Sequence, residues 1–346
     1  MNDKLLTIVV PTYNMEKFLA KCLDSLIVKD NELLRSLEVL VVNDGSKDGS
    51  SAIGHRYQDL YPDTFRVIDK ENGNYGSCIN RGLREASGKF IKILDADDWF
   101  DTTNFELFLH FLEKSDADLI ISNFDMVAQS GEIKASLSFK ATNDCCSIKT
   151  EKGLYDLWMH AITYRRAIFD GLNYHQTEGI SYTDQECIFL PMIHVNSVHM
   201  FHHVVYKYLV EREGQTISPS VFAKNLSQEI QSWKSQQTAW DLSKKIGQGD
   251  AGDYLWYRLS KRAVFIYQQV ILKFYRGFKN EQLKDFDKYI RLNNPRLYDE
   301  LDSFTFNDRR FRFIHYWRKL FYCRPAVFVM QKIDGGLHRI TKRFHV

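Results

Sequence analysis

Short apolar runs alternate with amphipathic stretches over the first 125 residues. Residues 5–10 (LLTIVV), 37–42 (LEVLVV), 65–69 (FRVID), 90–94 (FIKIL) and 117–122 (ADLIIS) are continuous and β-rich. Between them, residues 16–27, 49–61, 76–88 and 104–114 read as helices. In 16–27 the apolar positions Phe18, Leu19, Cys22, Leu23 and Leu26 fall at helical spacing. Gly88 is placed to stop the third helix. Unbroken apolar strands separated by helices predict a mostly parallel sheet covered on both faces, an α/β class. From 125 to 150 the pattern weakens into a hairpin and a polar loop, and 151–218 mixes short helices and strands. From 222 onward the chain reads as helical, with no proline before Pro295. The expected division is an α/β domain over 1–220, in halves 1–125 and 126–220, followed by a helical region over 221–346.

In such sheets ligands bind beyond the carboxyl ends of the strands. Three polar loops stand there: PTYN (11–14), NDGSKDGS (43–50) and DADD (95–98). The reading predicts that they converge on one crevice.

Composition narrows the class. The chain has 346 residues, a net charge of +2 and 44% hydrophobic residues, ordinary for a globular protein and no case for bulk nucleic-acid binding. Its six cysteines form no C-x-x-C pair, so free thiols in a reducing cytosol are expected. The N-terminus carries no long apolar segment, and no stretch reaches the roughly 18–20 apolar residues of a membrane span. Charge is concentrated in 309–346, where ten Lys/Arg face one acid, Asp334, and interleave with Phe, Tyr and Trp. Such a tail suits an anionic membrane surface or a helical cap packed on the protein; it matches no nucleic-acid motif.

The three loops suggest chemistry. Asp95 and Asp97, an Asp-x-Asp pair, offer hard oxygen ligands for Mg²⁺ or Mn²⁺ shared with phosphate oxygens, and such an ion would offset both the mutual repulsion of the acidic cluster and the charge of a departing diphosphate. The plainer alternative is a helix start capped by Asp97 or Asp98. NDGSKDGS mimics the first half of a calcium loop, but its twelfth position is His55 instead of Glu, so calcium is excluded. Asp44 there can accept from a nucleobase N–H or a ribose hydroxyl, or belong to a turn whose helix is capped by Ser50 or Ser51. Tyr13 offers a ring for base stacking and Asn14 an amide, unless PTYN is only a strand–helix turn. G-x-G-x-x-G and G-x-x-x-x-G-K-[ST] are both absent, which excludes glycine-loop phosphate binding.

VVPTYNMEKFL, VVNDGSKDGS and GKFIKILDADDWF resemble the three hallmark segments of family 2 glycosyltransferases. ENGNYGSCINRGLREASGKF is similar to a branch with a Gly-rich loop before the third helix, and together the segments cover residues 5–122 in order. The resemblance implies a GT-A fold, a nucleotide-diphosphate sugar donor (UDP-sugar expected), a divalent metal, and inversion by single displacement. By position it places Pro11, Tyr13 and Asn14 at the base pocket, Asp44 on the base, Asp95 on the ribose or metal side, and Asp97 on the metal. Thr12, Gly45 and Ala96 fall in the same nucleotide-sugar-binding set. Many members carry Arg just before the Asn of the third helix; here Ile79 stands there, and Asn72, Ser77 or Asn80 is expected to replace it.

Inversion needs a base for the attacking hydroxyl. In SYTDQECIFLP (181–191), Asp184 matches the family's base, with Glu186 nearby. A capping role for Thr183 or Asp184 is compatible, because a helix N-terminus keeps a carboxylate ionised. VYKYLVEREGQTIS (205–218) resembles the segment that follows, with Arg212, Gln215 and Thr216 either donating to the diphosphate as a lid or ending a solvated strand. The expectation is thus a cytoplasmic transferase, peripheral at the inner membrane face, acting on a glycan or lipid-linked acceptor in bacterial surface polysaccharide synthesis. Two rivals are a sugar nucleotidyltransferase, which would want a G-G-x-G-T-R-like loop where PTYN stands, and a non-catalytic glycan- or membrane-binding protein, against which intact Asp95, Asp97 and Asp184 speak.

Overall fold

In the computed structural model of the chain, all five apolar runs are strands, and all four intervening helices form. The described residues are 4–170, 172, 174–211, 219–246, 251–273, 280–305, 311–323, 325, 327 and 329. The strands are β1 (Leu6–Thr12), β2 (Leu37–Asn43), β3 (Phe65–Asp69), β4 (Phe90–Ile93), β5 (Trp99–Phe100), β6 (Leu119–Ala128), β7 (Ile133–Leu137), β8 (Cys145–Cys146), β9 (Ile162–Arg165) and β10 (Val198–Val210). Among them lie α1 (Leu19–Asp24), α2 (Asn31–Ser36), α3 (Ser50–Leu60), α4 (Asn74–Glu85), α5 (Thr102–Lys114) and α6 (Asp184–Cys187). Helix α2 was not predicted. It is announced by Asp30, whose carboxylate accepts from the Glu32 and Leu33 N–H groups at 2.8 and 3.1 Å, an N-cap.

The sheet runs β3-β2-β1-β4-β9-β6-β10-β5, with β7 on β6 and β8 on β10. Strands β1–β4 are mutually parallel where they pair, as the unbroken apolar runs require. All seven residues of β1 are buried. The fifth apolar run, β6, does not continue this parallel series. β9 is inserted between β4 and β6 and runs antiparallel to both. At four residues, β9 is too short to stand out from the mixed pattern of 151–218.

Helix α4 lies tightly on β1: a Cβ at Gly82 would sit 2.4 Å from Val9 Cγ1. Its Ile79 is fully buried among Val9, Leu40, Val42, Ile68, Cys78 and Ile91, which accounts for an apolar residue at that position. The expected hairpin is β6–β7, with Ser136 donating to Asp125 at 2.7 Å.

The chain divides into two compact units, residues 1–215 with 234–258, and residues 216–233 with 259–346. The remaining helices are α7 (Pro219–Lys224), α8 (Leu226–Ile246), α9 (Gly252–Gln268), α10 (Asn280–Asn293), α11 (Pro295–Ser303) and α12 (Phe313–Lys319). In the second unit, Trp233, Tyr267, Phe286 and Trp317 form a buried aromatic core. The start of the basic tail is part of it. Phe311, Phe313, Ile314 and Trp317 are buried, and Arg318, its side chain 7% exposed, pairs with Asp287 at 2.7 Å and lies 3.6 Å from the centre of the Tyr298 ring. Residues 324, 326, 328 and 330–346 lie outside the described residues.

Candidate active site

The first two loops are knitted together. The Asp44 N–H donates to the Thr12 carbonyl at 2.8 Å, continuing the β1–β2 ladder past its end. Asn14, at φ 54°, receives the Lys47 N–H on Oδ1 at 2.8 Å, and its own N–H reaches Ser46 Oγ at 3.0 Å. Asn tolerates this left-handed backbone better than most residues. The Asn14 amide therefore ties loop to loop. Pro11 and Thr12 are buried, whereas Tyr13 is 46% exposed, with a ring face open to a partner. Ser50 and Ser51 do not cap α3. The Asp48 carboxylate does so, taking the Ser50 N–H at 3.0 Å and the Ser50 hydroxyl at 2.6 Å.

Asp44 is buried, and its charge is compensated. Lys70 Nζ sits 2.5 Å from Oδ1, and the Gly73 N–H donates to the same oxygen at 2.9 Å. Lys70 also donates to Ser77 Oγ, and Asn72 Nδ2 to the Asp44 carbonyl. Gly45 turns at φ 71° against Lys70 and Asn72. Asp44, Asn72 and Ser77 thus form one cluster organised by Lys70. Lys70 was missed by the sequence reading, although it directly follows β3 and the carboxyl-end rule applies to that strand too. Asn80 lies elsewhere. It donates to the Gln176 carbonyl and Glu178, and accepts the Gln176 N–H at 2.8 Å, pinning the 176–178 segment onto α4.

The acidic loop starts no helix. Strand β5 follows Asp98, and the cap of α5 is Asp101, so Asp97 and Asp98 are not N-caps. Asp98 is buried and held twice by β10: the Tyr206 hydroxyl donates to Oδ2 at 2.6 Å and the Leu209 N–H to Oδ1 at 2.7 Å. Burial, then the charges of Asp97 and Asp95, push its carboxyl well above the usual range. Asp95 accepts the Tyr75 hydroxyl on Oδ1 at 2.9 Å, and its N–H donates to the Tyr206 oxygen at 3.2 Å. Ala96 is buried and Asp97 half-buried.

His160, just before β9, was not singled out from the sequence. It is 7% exposed, its Nδ1 has no hydrogen-bond partner among the described residues, and burial and the nearby Lys92 hold its pKa down to about 3. Potential ligand atoms of Asp95, Asp98 and His160 lie within 4.8 Å of one another. Asp97 is not in that group. Beneath it, fully buried Lys92 donates to the His160 and Ile162 carbonyls at 3.0 Å each, its pKa lowered to about 7 by burial.

Asp184 opens α6, half-buried, and accepts from Gln185 Nε2 at 2.8 Å. Gln185 is anchored by Arg258 at 2.6 Å and by Gln236 on its carbonyl at 2.9 Å. Asp184 is within electrostatic reach of the same tyrosines as the acidic loop: burial, then Asp95, Cys187 and Asp184, push up the Tyr75 hydroxyl, and Asp95 and Asp184 also act on Tyr208. Glu186 is buried and accepts the Thr177 N–H at 2.8 Å, a contact that anchors the loop. Arg212, Gln215 and Thr216 lie outside the described residues.

The profile described as "Glycosyl transferase family 2" matches residues 7–172. "Glycosyltransferase GlyA" of Streptococcus pneumoniae is 33% identical over 122 residues, which are 35% of this chain and 17% of that protein. "Minor teichoic acid biosynthesis protein GgaB" of Bacillus subtilis is 31% identical over 149 residues, 41% of this chain and 16% of that protein. Across these and other curated relatives, the chain spans 16 to 41% of their length. The crystal structure of S. aureus TarS residues 1–349 in complex with UDP-GlcNAc superimposes with a TM-score of 0.68 at 18% identity, covering 95% of this chain and 92% of that one. Among the described residues no helix is long and apolar enough to cross a membrane. With the hallmark loops gathered at one sheet edge, residues 7–172 match glycosyl transferase family 2, and the fold is that of the TarS structure, GT-A.

Proposed function

We propose that this chain is an inverting, metal-dependent glycosyltransferase that moves a sugar from a nucleotide diphosphate, UDP first among candidates, to a hydroxyl of a glycan or lipid-linked acceptor. Residues 1–220 form the catalytic region in this reading and 221–346 a helical region, with work at the cytoplasmic face of the membrane in surface polysaccharide synthesis. The name of one relative, the minor teichoic acid biosynthesis protein GgaB, supports that setting.

Tyr13 stacks the base, and Asp44, aligned by Lys70, accepts from it, with Pro11, Thr12, Asn14 and Gly45 shaping the pocket. Asn72 and Ser77 support that cluster, and Asn80 supports the loop before Asp184. Ala96 and Asp95 face the ribose side. The acidic loop suits Mg²⁺ or Mn²⁺: the buried His160 imidazole stands beside two carboxylates, its Nδ1 has no hydrogen-bond partner among the described residues, and its low pKa keeps the ring neutral. Asp95 and Asp97 are the loop's ligands in this reading, and His160 and Asp98 complete the donor set. When bound, such an ion offsets charge on the leaving diphosphate. Asp184 takes the proton from the acceptor hydroxyl as that oxygen attacks the anomeric carbon. Glu186 is unsuited to this, being occupied with Thr177. Arg212 and Gln215 are assigned to the diphosphate side.

The observation that carries the reading is the adjacency of the two halves: Tyr75 bonds to Asp95 within Coulomb reach of Asp184. The test is a donor panel of UDP-glucose, UDP-galactose, UDP-GlcNAc, UDP-GalNAc and GDP-mannose, each with Mn²⁺ or EDTA. Metal-dependent release of a nucleoside diphosphate from one donor is expected. Absence of both binding and turnover across the panel refutes the reading.

A further inference from the structure

Tyr208 is a half-buried side chain to which the reading above gives no task. It lies on β10, and its neighbours fix where it faces. Tyr206 donates to one oxygen of Asp98 and the Leu209 N–H to the other. Side chains two apart on a strand share a face, and the register of β10 on β6 runs unbroken from Tyr206 to Val210. Tyr208 therefore points to the same side as Tyr206, the side of the acidic loop.

Its ring is held on a shelf. It stacks on His160 with centroids 4.3 Å apart and planes at 29°. Trp158 continues the shelf outward, 6.0 Å from the His160 ring and 5.8 Å from Phe124, and remains 39% exposed. Arg258 ties the Leu157 carbonyl just before it at 3.0 Å, so the shelf's edge is anchored. The Tyr208 hydroxyl has no hydrogen-bond partner among the described residues. A tyrosine hydroxyl is ordinarily neutral and so a hydrogen-bond donor. His160 also lies against Tyr206, ring centroids 4.9 Å apart, which places Tyr208 on the same shelf as the side chain that holds Asp98.

In a single displacement, the group between the leaving diphosphate and the base is the sugar being transferred. A pyranose presents C–H faces that pack on aromatic rings and hydroxyls that need donors and acceptors, and a pocket of aromatic walls with a few placed polar groups suits it. Resting on the glycosyltransferase reading, we propose that Tyr208 is a specificity-determining residue for the transferred sugar: its ring, backed by His160 and extended by Trp158, lines the sugar's subsite, and its hydroxyl donates to a sugar hydroxyl.

The test compares two ligands on the same protein by titration calorimetry with Mn²⁺: the panel's best sugar nucleotide and its own nucleoside diphosphate. Tyr208→Phe keeps the stacked ring and removes only the donor. It is expected to weaken the intact sugar nucleotide about threefold to tenfold, the scale of one hydrogen bond, and to leave the nucleoside diphosphate within twofold. Trp158→Ala, at an exposed position, is expected to show the same split. Equal weakening of both ligands by Tyr208→Phe would place the hydroxyl on the diphosphate and overturn the assignment, as would no change in either. A wild-type protein that binds nucleoside diphosphate but gains nothing from the sugar also overturns it. One that binds no nucleotide at all overturns the reading beneath it as well.

Discussion

Gly76 is the third residue of α4, where helix propensity alone favours alanine by about 1 kcal/mol. The structure predicts the opposite outcome for Gly76→Ala. A Cβ there would lie 2.0 Å from the Thr177 carbonyl oxygen and 2.8 Å from its carbon, both backbone atoms. The 176–178 segment must then retreat by about 1 Å or more to restore ordinary contact. That movement pulls on the two bonds between Asn80 and the Gln176 backbone, at 2.9 and 2.8 Å, each contributing about 1 kcal/mol. Overpacking itself costs about 1–3 kcal/mol. With the helix gain subtracted, a net loss of roughly 2–4 kcal/mol is expected. The displacement also reaches the chemistry. Thr177 donates to Glu186, two residues beyond Asp184 in the same helical turn, so the proposed base shifts with the segment. Urea unfolding measures the stability, and transfer rate against nucleoside-diphosphate affinity measures the site. The transfer rate should fall at least tenfold, more than affinity does. A Gly76→Ala protein as stable as wild type, or more so, would refute the close approach.

Asp184→Asn should retain donor binding and lose transfer by roughly 10²-fold or more, the scale of a general base, whereas Asp97→Ala should lose Mn²⁺-dependent sugar-nucleotide binding itself; calorimetry and a transfer assay separate the two. Lys70→Met leaves Asp44 buried without its cation and should cost about 3–5 kcal/mol in urea unfolding, much of it recovered in the double variant with Asp44→Asn; equal instability of single and double variants would dissociate Lys70 from Asp44. Lys92 sets a pH dependence. Its folded pKa, about 7 against an ordinary 10.5, means the folded state binds fewer protons than the unfolded state between those values. Its destabilising contribution is therefore full below pH 7 and fades as pH rises toward 10.5, on the order of a few kcal/mol, and Lys92→Met should flatten that rise in unfolding free energy measured across the window.

The periodicity of 1–125 was enough to locate β1–β4, β6 and their helices, because strands buried on both faces run nearly continuously apolar, whereas the helices between them show apolar positions at helical spacing. The carboxyl-end rule then led to Asp44, Asp95 and Asp97 without knowledge of contacts, and the match of SYTDQEC to the family's base led to Asp184. Those features are local: each depends on residues near it in the chain. Tyr75, His160 and Tyr208 carry no such signal, and although Lys70 stands at the carboxyl end of β3, nothing near it in sequence says which carboxylate it meets. Their roles arise from pairings across 20 to 111 positions, such as Tyr75 to Asp95 and Leu209 to Asp98. The antiparallel insertion of β9 brings His160 beside the acidic loop, and the register of β10 turns Tyr206 and Tyr208 toward it. The sequence by itself thus determined which strand ends carry the three polar loops. Tertiary structure decided which distant side chains surround it, because strand order and register are set by packing summed over the whole sheet.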